Sequence, residues 1–146
     1  MATLEKAIEI AARAHAGQVD KAGQPYVLHP IRVMLRMSSE AERITGVLHD
    51  VVEDSDVTLD DLRDEGFDAA ILEALDALTK RPGESRMDAA GRARLVPLAR
   101  VVKLADNAEN SDLSRIANPT EWDLIRTENY AKIRAFLLEE IDPCES

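Results

Sequence analysis

Ile44-Thr45-Gly46-Val47-Leu48-His49-Asp50-Val51-Val52-Glu53-Asp54-Ser55 is the stretch that decides how this chain folds. Its apolar residues Ile44, Val47, Leu48 and Val51 fall at i, i+3, i+4 and i+7, the spacing of one helix face rather than the alternation of a strand. The β-branched pairs Val51-Val52 and Val101-Val102 lie inside such patterns, so neither is promoted to a strand. His49 and Asp50 flank the apolar stripe near the end of this helix, and Glu53 and Asp54 each follow one turn later.

The same helical spacing recurs outward in both directions. Ala7, Ile8, Ala11 and Ala14 predict a first helix over about 4–16, stopped by Gly17. Gln18 to Leu28 reads as a loop, and Pro30 suits the first turn of a second helix running to about Met37. Thr58 and Asp61 form a capping-box-like start for a short helix ending near Gly66; Ile71, Leu72, Leu75 and Leu78 mark another. After the Lys80–Ser85 loop, helices are expected over 87–96 and from Pro97, the latter burying Leu98, Val101, Val102 and Ala105. Asn118-Pro119-Thr120 opens a last helix to about Ile141, with Trp122, Ile125, Ile133 and Leu137 as core candidates. The expectation is an all-α fold, one domain over residues 1–146.

Composition narrows the function classes. The chain has 146 residues, enough for one domain. Eighteen basic side chains face 28 acidic ones, a formal charge of −10, which argues against a nucleic-acid binder that works through Lys and Arg on phosphates. No apolar run approaches the ~18 residues of a membrane span, and the N-terminus lacks a signal-peptide core. The single cysteine, Cys144, allows no internal disulfide. A cytoplasmic protein is expected.

The charge is unevenly placed. Residues 37–75 carry twelve acidic and two basic side chains; Asp60, Asp61, Asp64 and Glu65 read as solvated helix surface. Between Lys80 and Lys103 seven basic residues face only Glu84 and Asp88, either ordinary surface charge or a patch able to take a small anion such as phosphate.

The chemistry gathers at the central stretch. One imidazole and three carboxylates at a helix end, with no basic residue between them, repel one another unless a cation or protons intervene, and a divalent metal is the economical answer. Imidazole with carboxylate suits manganese, iron or zinc better than calcium or magnesium. Such an ion lowers the pKa of water, and a nearby carboxylate can orient that water or carry its proton. Asp106, at the end of Val102-Lys103-Leu104-Ala105-Asp106, could complete the ligand set. Tyr26, beside Pro25 and close to His29, is a candidate to line the pocket. His15 is expected to pack or hydrogen-bond at a helix end, and Trp122 and Tyr130 to be core or helix–helix contacts.

The order His29-Pro30, His49-Asp50, Asp106 resembles the metal-dependent phosphohydrolases of the HD superfamily. Its surroundings resemble the RelA/SpoT-type alarmone hydrolases: Gly17-Gln18 with Lys21-Ala22-Gly23-Gln24-Pro25-Tyr26-Val27-Leu28-His29-Pro30, then Leu48 to Ser55, Leu78-Thr79-Lys80, and Val102 to Asp106. The resemblance covers roughly residues 4–116. It implies a helical HD-domain bundle and a Mn²⁺ ion held by His29, His49, Asp50 and Asp106. It implies that Glu53 and Asp54 act on the attacking water, and that Lys21, Lys103 and Asn110 lie near a nucleotide substrate. The implied reaction removes the 3′-pyrophosphate of ppGpp or pppGpp. Too few residues remain beyond the matched stretch for a synthetase domain, so hydrolysis alone is expected.

Two departures stand out. The family usually carries Arg where this chain has Asp20, a reversal of charge at a nucleotide-holding position, and Asn107-Ala108-Glu109-Asn110 replaces a common Arg-x-His-Asn continuation. Other readings are the same chemistry on another nucleotide or phosphorylated cofactor, and a catalytically idle domain that binds an alarmone. The apolar residues of the last helix would allow a homo-oligomer.

Overall fold

The computed structural model describes residues 2–139, and all of its regular structure is helical: α1 (Leu4–Ala14), α2 (Leu28–Leu35), α3 (Glu40–Leu48), α4 (Val51–Asp54), α5 (Leu59–Asp64), α6 (Ala69–Leu78), α7 (Arg86–Arg94), α8 (Pro97–Asn110) and α9 (Glu121–Leu138). Helix starts follow local chemistry. Ser39, Thr58, Ser85 and Thr120 each accept from the backbone N–H three residues on, while Glu42, Asp61, Asp88 and Asp123 return the bond. Gly17, at φ +83°, follows α1 in the left-handed conformation that ends helices, as expected from the sequence. Among the described residues extended pairing is confined to one bridge, Val19 with Pro25, inside the expected loop. No described helix is long and apolar enough to cross a membrane.

Two helices organise the rest. α3 packs on α1, α2, α6 and α8; α8 packs on α2, α3, α6, α7 and α9. Around α3 lies the main core, with Val47, Leu48, Val51, Leu62 and Leu75 buried. Alanines 74, 77, 93 and 99 let α6, α7 and α8 approach closely. Gly46 serves the same end: a Cβ there would press on the backbone of Met34 at 3.4 Å, so α3 lies directly on α2. Glu109 of α8, buried, takes Arg32 at 3.3 Å and Arg36 at 2.8 Å from α2, fixing those two helices to each other.

Three sequence expectations need correction. The helix through Ile44 stops at Leu48, and α4 begins at Val51. The cause is local: His49 Nδ1–H donates to the Gly46 carbonyl at 2.6 Å, the acceptor that a further turn of α3 would use. Secondly, α2 begins at Leu28, so His29 lies inside its first turn. Thirdly, Trp122 and Ile125 are not core. They are 77% and 40% exposed, because α9 packs mainly on α7 and α8 and buries the face of Ile133 and Leu137 instead. Ile141 and Cys144 lie outside the described residues.

This contrast is measurable. Leu137→Ala removes a fully buried side chain and should lower stability by about 2–5 kcal/mol. Trp122→Ala should change it by no more than about 0.5 kcal/mol. Urea denaturation of both variants reads the difference.

Candidate active site

Three elements bring the cluster together. His29 comes from the first turn of α2, His49 and Asp50 from the α3–α4 join, and Asp106 from the last turns of α8. His29 Nε2 is 2.9 Å from Asp106 Oδ1 and 3.8 Å from Asp50 Oδ2. His49 Nε2 is 3.1 Å from Asp50 Oδ2 and 3.3 Å from Asp106 Oδ1. The break after Leu48 is what lets adjacent residues 49 and 50 converge.

The donor set fits a cation. Gly46 O can only accept, so His49 Nδ1 carries the proton, and neutral His49 has its lone pair on Nε2. That nitrogen is buried, makes no hydrogen bond, and sits between two carboxylates. One ligand atom each from His29, His49 and Asp106 lies within 4.8 Å of the others, close enough to hold a divalent ion. Without an ion the protons compensate. Burial pulls the His49 pKa down, but Asp50 and Asp106 outweigh it and carry it well above the ordinary histidine value. Burial raises Asp106, yet the Lys103 ammonium and the two imidazoles bring it well below the carboxylate range.

The surrounding side chains grip this cluster. Tyr26 O–H donates to Asp50 Oδ2 at 2.6 Å, and its ring stands between those of His15 and His29, at 5.1 and 5.8 Å. His15 is buried at the end of α1 with Nδ1 on Gln18, as expected. Gln18 in turn donates to the Asp54 carbonyl, tying the 18–27 loop to α4. Lys103 Nζ and Asn110 Nδ2 both contact Asp106, at 3.1 and 3.0 Å. These two, expected on the substrate side, thus also orient a candidate ligand.

The cluster opens onto a cleft with two lobes. The first, about 280 Å³, is lined by Asp50, Asp106, Glu53, Lys103, Lys80 and Arg86, among others. The second, about 260 Å³, includes Lys21, His29 and Arg115. Tyr26, Asn110 and Tyr130 border both, so the lobes are neighbours. Asp54 lines neither and stands exposed at the rim. Glu53 and Asp54 both have raised pKa values, from burial first and then from Asp50.

Of the seven basic residues from 80 to 103, three reach the cleft: Lys80, Arg86 and Lys103. The others serve the fold. Arg92 binds Glu84 and the Thr79 carbonyl, Arg81 faces Asp76, Arg94 stacks on Phe136, and Arg100 donates to the Leu137 carbonyl. Tyr130 is, as expected, a helix–helix contact, with the Arg86 guanidinium of α7 5.3 Å over its ring and its carbonyl accepting from Asn107 of α8, and it also walls the cleft. Arg115 and Arg126 were not singled out by the sequence; no local pattern marks them, because only the packing of α8 and α9 brings them to the cleft.

An all-helical bundle with paired His and Asp side chains at one buried point defines a class. The HD domain family matches residues 7–142, and the chain belongs to it. A human guanosine-3′,5′-bis(diphosphate) 3′-pyrophosphohydrolase is 34% identical over 88% of this chain and 79% of its own length. A Streptomyces coelicolor GTP pyrophosphokinase is 35% identical over 73% of this chain, but the chain spans 14% of that protein's length. It likewise spans 12% of a Borreliella burgdorferi 3′-pyrophosphohydrolase, at 42% identity over 51% of this chain. A solved structure, described as a metazoan SpoT orthologue that hydrolyses ppGpp, shares the fold: the TM-score is 0.76 at 24% identity, covering 99% of this chain and 90% of that one.

Two outcomes follow from this electrostatics. The purified protein should carry a divalent ion that His49→Ala and Asp106→Ala lose, as read by elemental analysis. Glu53 and Asp54 bind protons more tightly folded than unfolded, so in the metal-free protein their ionisation lowers stability as pH rises above the ordinary carboxylate range. Glu53→Gln and Asp54→Asn should therefore raise the Tm of the metal-free protein at pH 7.

Proposed function

We propose that this chain is a manganese-dependent phosphohydrolase that removes the 3′-pyrophosphate of (p)ppGpp, working as a single HD-type domain over residues 1–146. One observation carries the reading: buried His29, His49 and Asp106, with half-buried Asp50 beside them, open onto a cavity with Lys80, Arg86 and Lys103 on its walls. Those four residues would hold the ion, and two imidazoles with two carboxylates suit manganese, as they do iron or zinc, better than calcium or magnesium. The ion, when bound, supplies Lewis acidity to water and to the phosphoryl oxygens. The likeness to the human 3′-pyrophosphohydrolase, which extends over most of both chains, supports the substrate.

The chain's own groups divide the remaining work. Glu53, lining the cavity with its pKa raised, is the carboxylate to take the proton of the attacking water; Asp54 at the rim passes it to solvent. Water oxygen bonds to phosphorus, the bond from phosphorus to the ribose 3′ oxygen breaks, that oxygen takes a proton from solvent to become the 3′ hydroxyl, and GDP (or GTP) and pyrophosphate leave. Lys103 is kept cationic by Asp106 and, with Lys80 and Arg86, meets the charge of the pyrophosphate. Tyr26 holds Asp50 in orientation. Lys21 and Asn110 lie on the nucleotide side. A free nucleotide as substrate fits a cytoplasmic protein and calls for no nucleic-acid or membrane surface.

The test is ppGpp hydrolysis by the purified protein with Mn²⁺, following GDP and pyrophosphate. Release should occur and fall at least ~100-fold in Glu53→Ala/Asp54→Ala. No release from metal-loaded protein would overturn the assigned substrate.

A further inference from the structure

Asp20 and Arg115 meet across the second lobe of the cleft from positions 95 residues apart. Asp20 belongs to the 18–27 loop and Arg115 to the connection between α8 and α9. The Asp20 carboxylate is committed on several sides. Its Oδ1 accepts the backbone N–H groups of Ala22 and Gln24 at 2.9 and 3.0 Å, and its Oδ2 takes Arg115 Nη1 at 3.0 Å. Asp20 is largely covered, its side chain 13% exposed, whereas Arg115 is 32% exposed. The acid is thus built into the loop, and the base is the partner presented to the cleft.

Arg115 has donors to spare. A guanidinium carries five N–H groups in a planar fork, and Asp20 engages one nitrogen of it. Among the other cations of this lobe, Arg126 is paired with Asp123 in its own helix, and Lys21 is exposed at the rim. The lobe also adjoins the metal-side lobe, with Tyr26, Asn110 and Tyr130 lining both. A ligand with one anionic group at the His–Asp cluster and a second anionic group farther along would bring the second to Arg115.

We propose that Arg115, oriented by Asp20, binds the phosphate group of the substrate that lies remote from the metal cluster. This rests on the phosphohydrolase reading of the site and deepens it. For a nucleoside 3′,5′-bis(diphosphate) the remote group is the 5′-diphosphate. The acidic residue at position 20 then does not repel the nucleotide. It anchors a cation supplied by a distant part of the chain, and Arg115 serves specificity rather than the bond-breaking step.

GDP, which keeps the 5′ phosphates and lacks the 3′ ones, is the probe. Its dissociation constant would be measured calorimetrically on the full chain with Mn²⁺, for wild type, Arg115→Ala, Arg115→Lys and Asp20→Asn. Arg115→Ala should weaken GDP about tenfold, and raise the KM for ppGpp about tenfold with kcat within about twofold. Arg115→Lys should fall between, since it keeps the charge but not the fork. Asp20→Asn keeps an oxygen for the Ala22 and Gln24 amides but turns an amide NH2 toward Arg115, losing both the charge and the hydrogen bond that orient it, so it should weaken GDP about threefold. Manganese affinity should not change in any variant. The proposal is overturned if wild type fails to bind GDP at millimolar concentration, or if Arg115→Ala binds it as wild type does. Tighter binding by Asp20→Asn would also overturn it, since Asp20 would then be competing with the phosphate. Wild type that binds GDP through Arg115 but does not hydrolyse ppGpp would instead sink the assigned reaction.

Discussion

Two carboxylates and two imidazoles share one buried point where α2, α8 and the α3–α4 join meet, and the rest of the molecule is arranged to hold them there. Buried acids this close raise each other's energy unless positive charge stands between them. Lys103 supplies part of it on one side of Asp106, and a proton on His49 supplies more when no ion is bound. A divalent cation would satisfy these side chains at once, and the buried His49 Nε2, 3.1 and 3.3 Å from Asp50 and Asp106, is placed to be one of its ligands. The local cost of assembling like charges is thereby turned into affinity.

That demand explains features that would otherwise look unrelated. Gly46 lets α3 lie against α2, which brings His49 within reach of His29. The same residue's carbonyl fixes the His49 tautomer and ends α3, which swings Asp50 toward the cluster. Glu109, one turn beyond the cluster on α8, binds two arginines of α2 and so sets the spacing of His29 from Asp106. Tyr26, Lys103 and Asn110 then restrain the carboxylates individually.

Much of this was legible in the sequence because it depends on short-range rules. Capping residues Thr58 and Thr120 announce their helices, and apolar spacing places α3, α6 and α8. The His and Asp residues that cluster were all identifiable from their motifs. What escaped depends on contacts between distant segments. The break after Leu48 follows from a side-chain bond to the main chain, which hydrophobic spacing does not encode. The outward face of α9, with Trp122 and Ile125, carries apolar residues on both sides, so spacing alone could not choose the buried one. The Asp20–Arg115 pair is invisible locally, and position 20 taken alone suggests repulsion where the fold supplies a cation.

The acidic surface and the cationic cleft also divide cleanly. The twelve acids against two bases of residues 37–75 leave the protein strongly negative overall, while Lys80, Arg86 and Lys103 place positive charge on the cleft walls beside Asp50, Glu53 and Asp106. A small anion is drawn inward locally even though the molecule as a whole repels it. The central claim, that the cluster is a metal site, is tested most directly by anomalous diffraction from crystals grown with Mn²⁺. The account expects an anomalous peak within about 2.0–2.3 Å of His29 Nε2, His49 Nε2 and oxygens of Asp50 and Asp106. An ion bound elsewhere, with these four side chains still hydrogen-bonded only to one another, would contradict it.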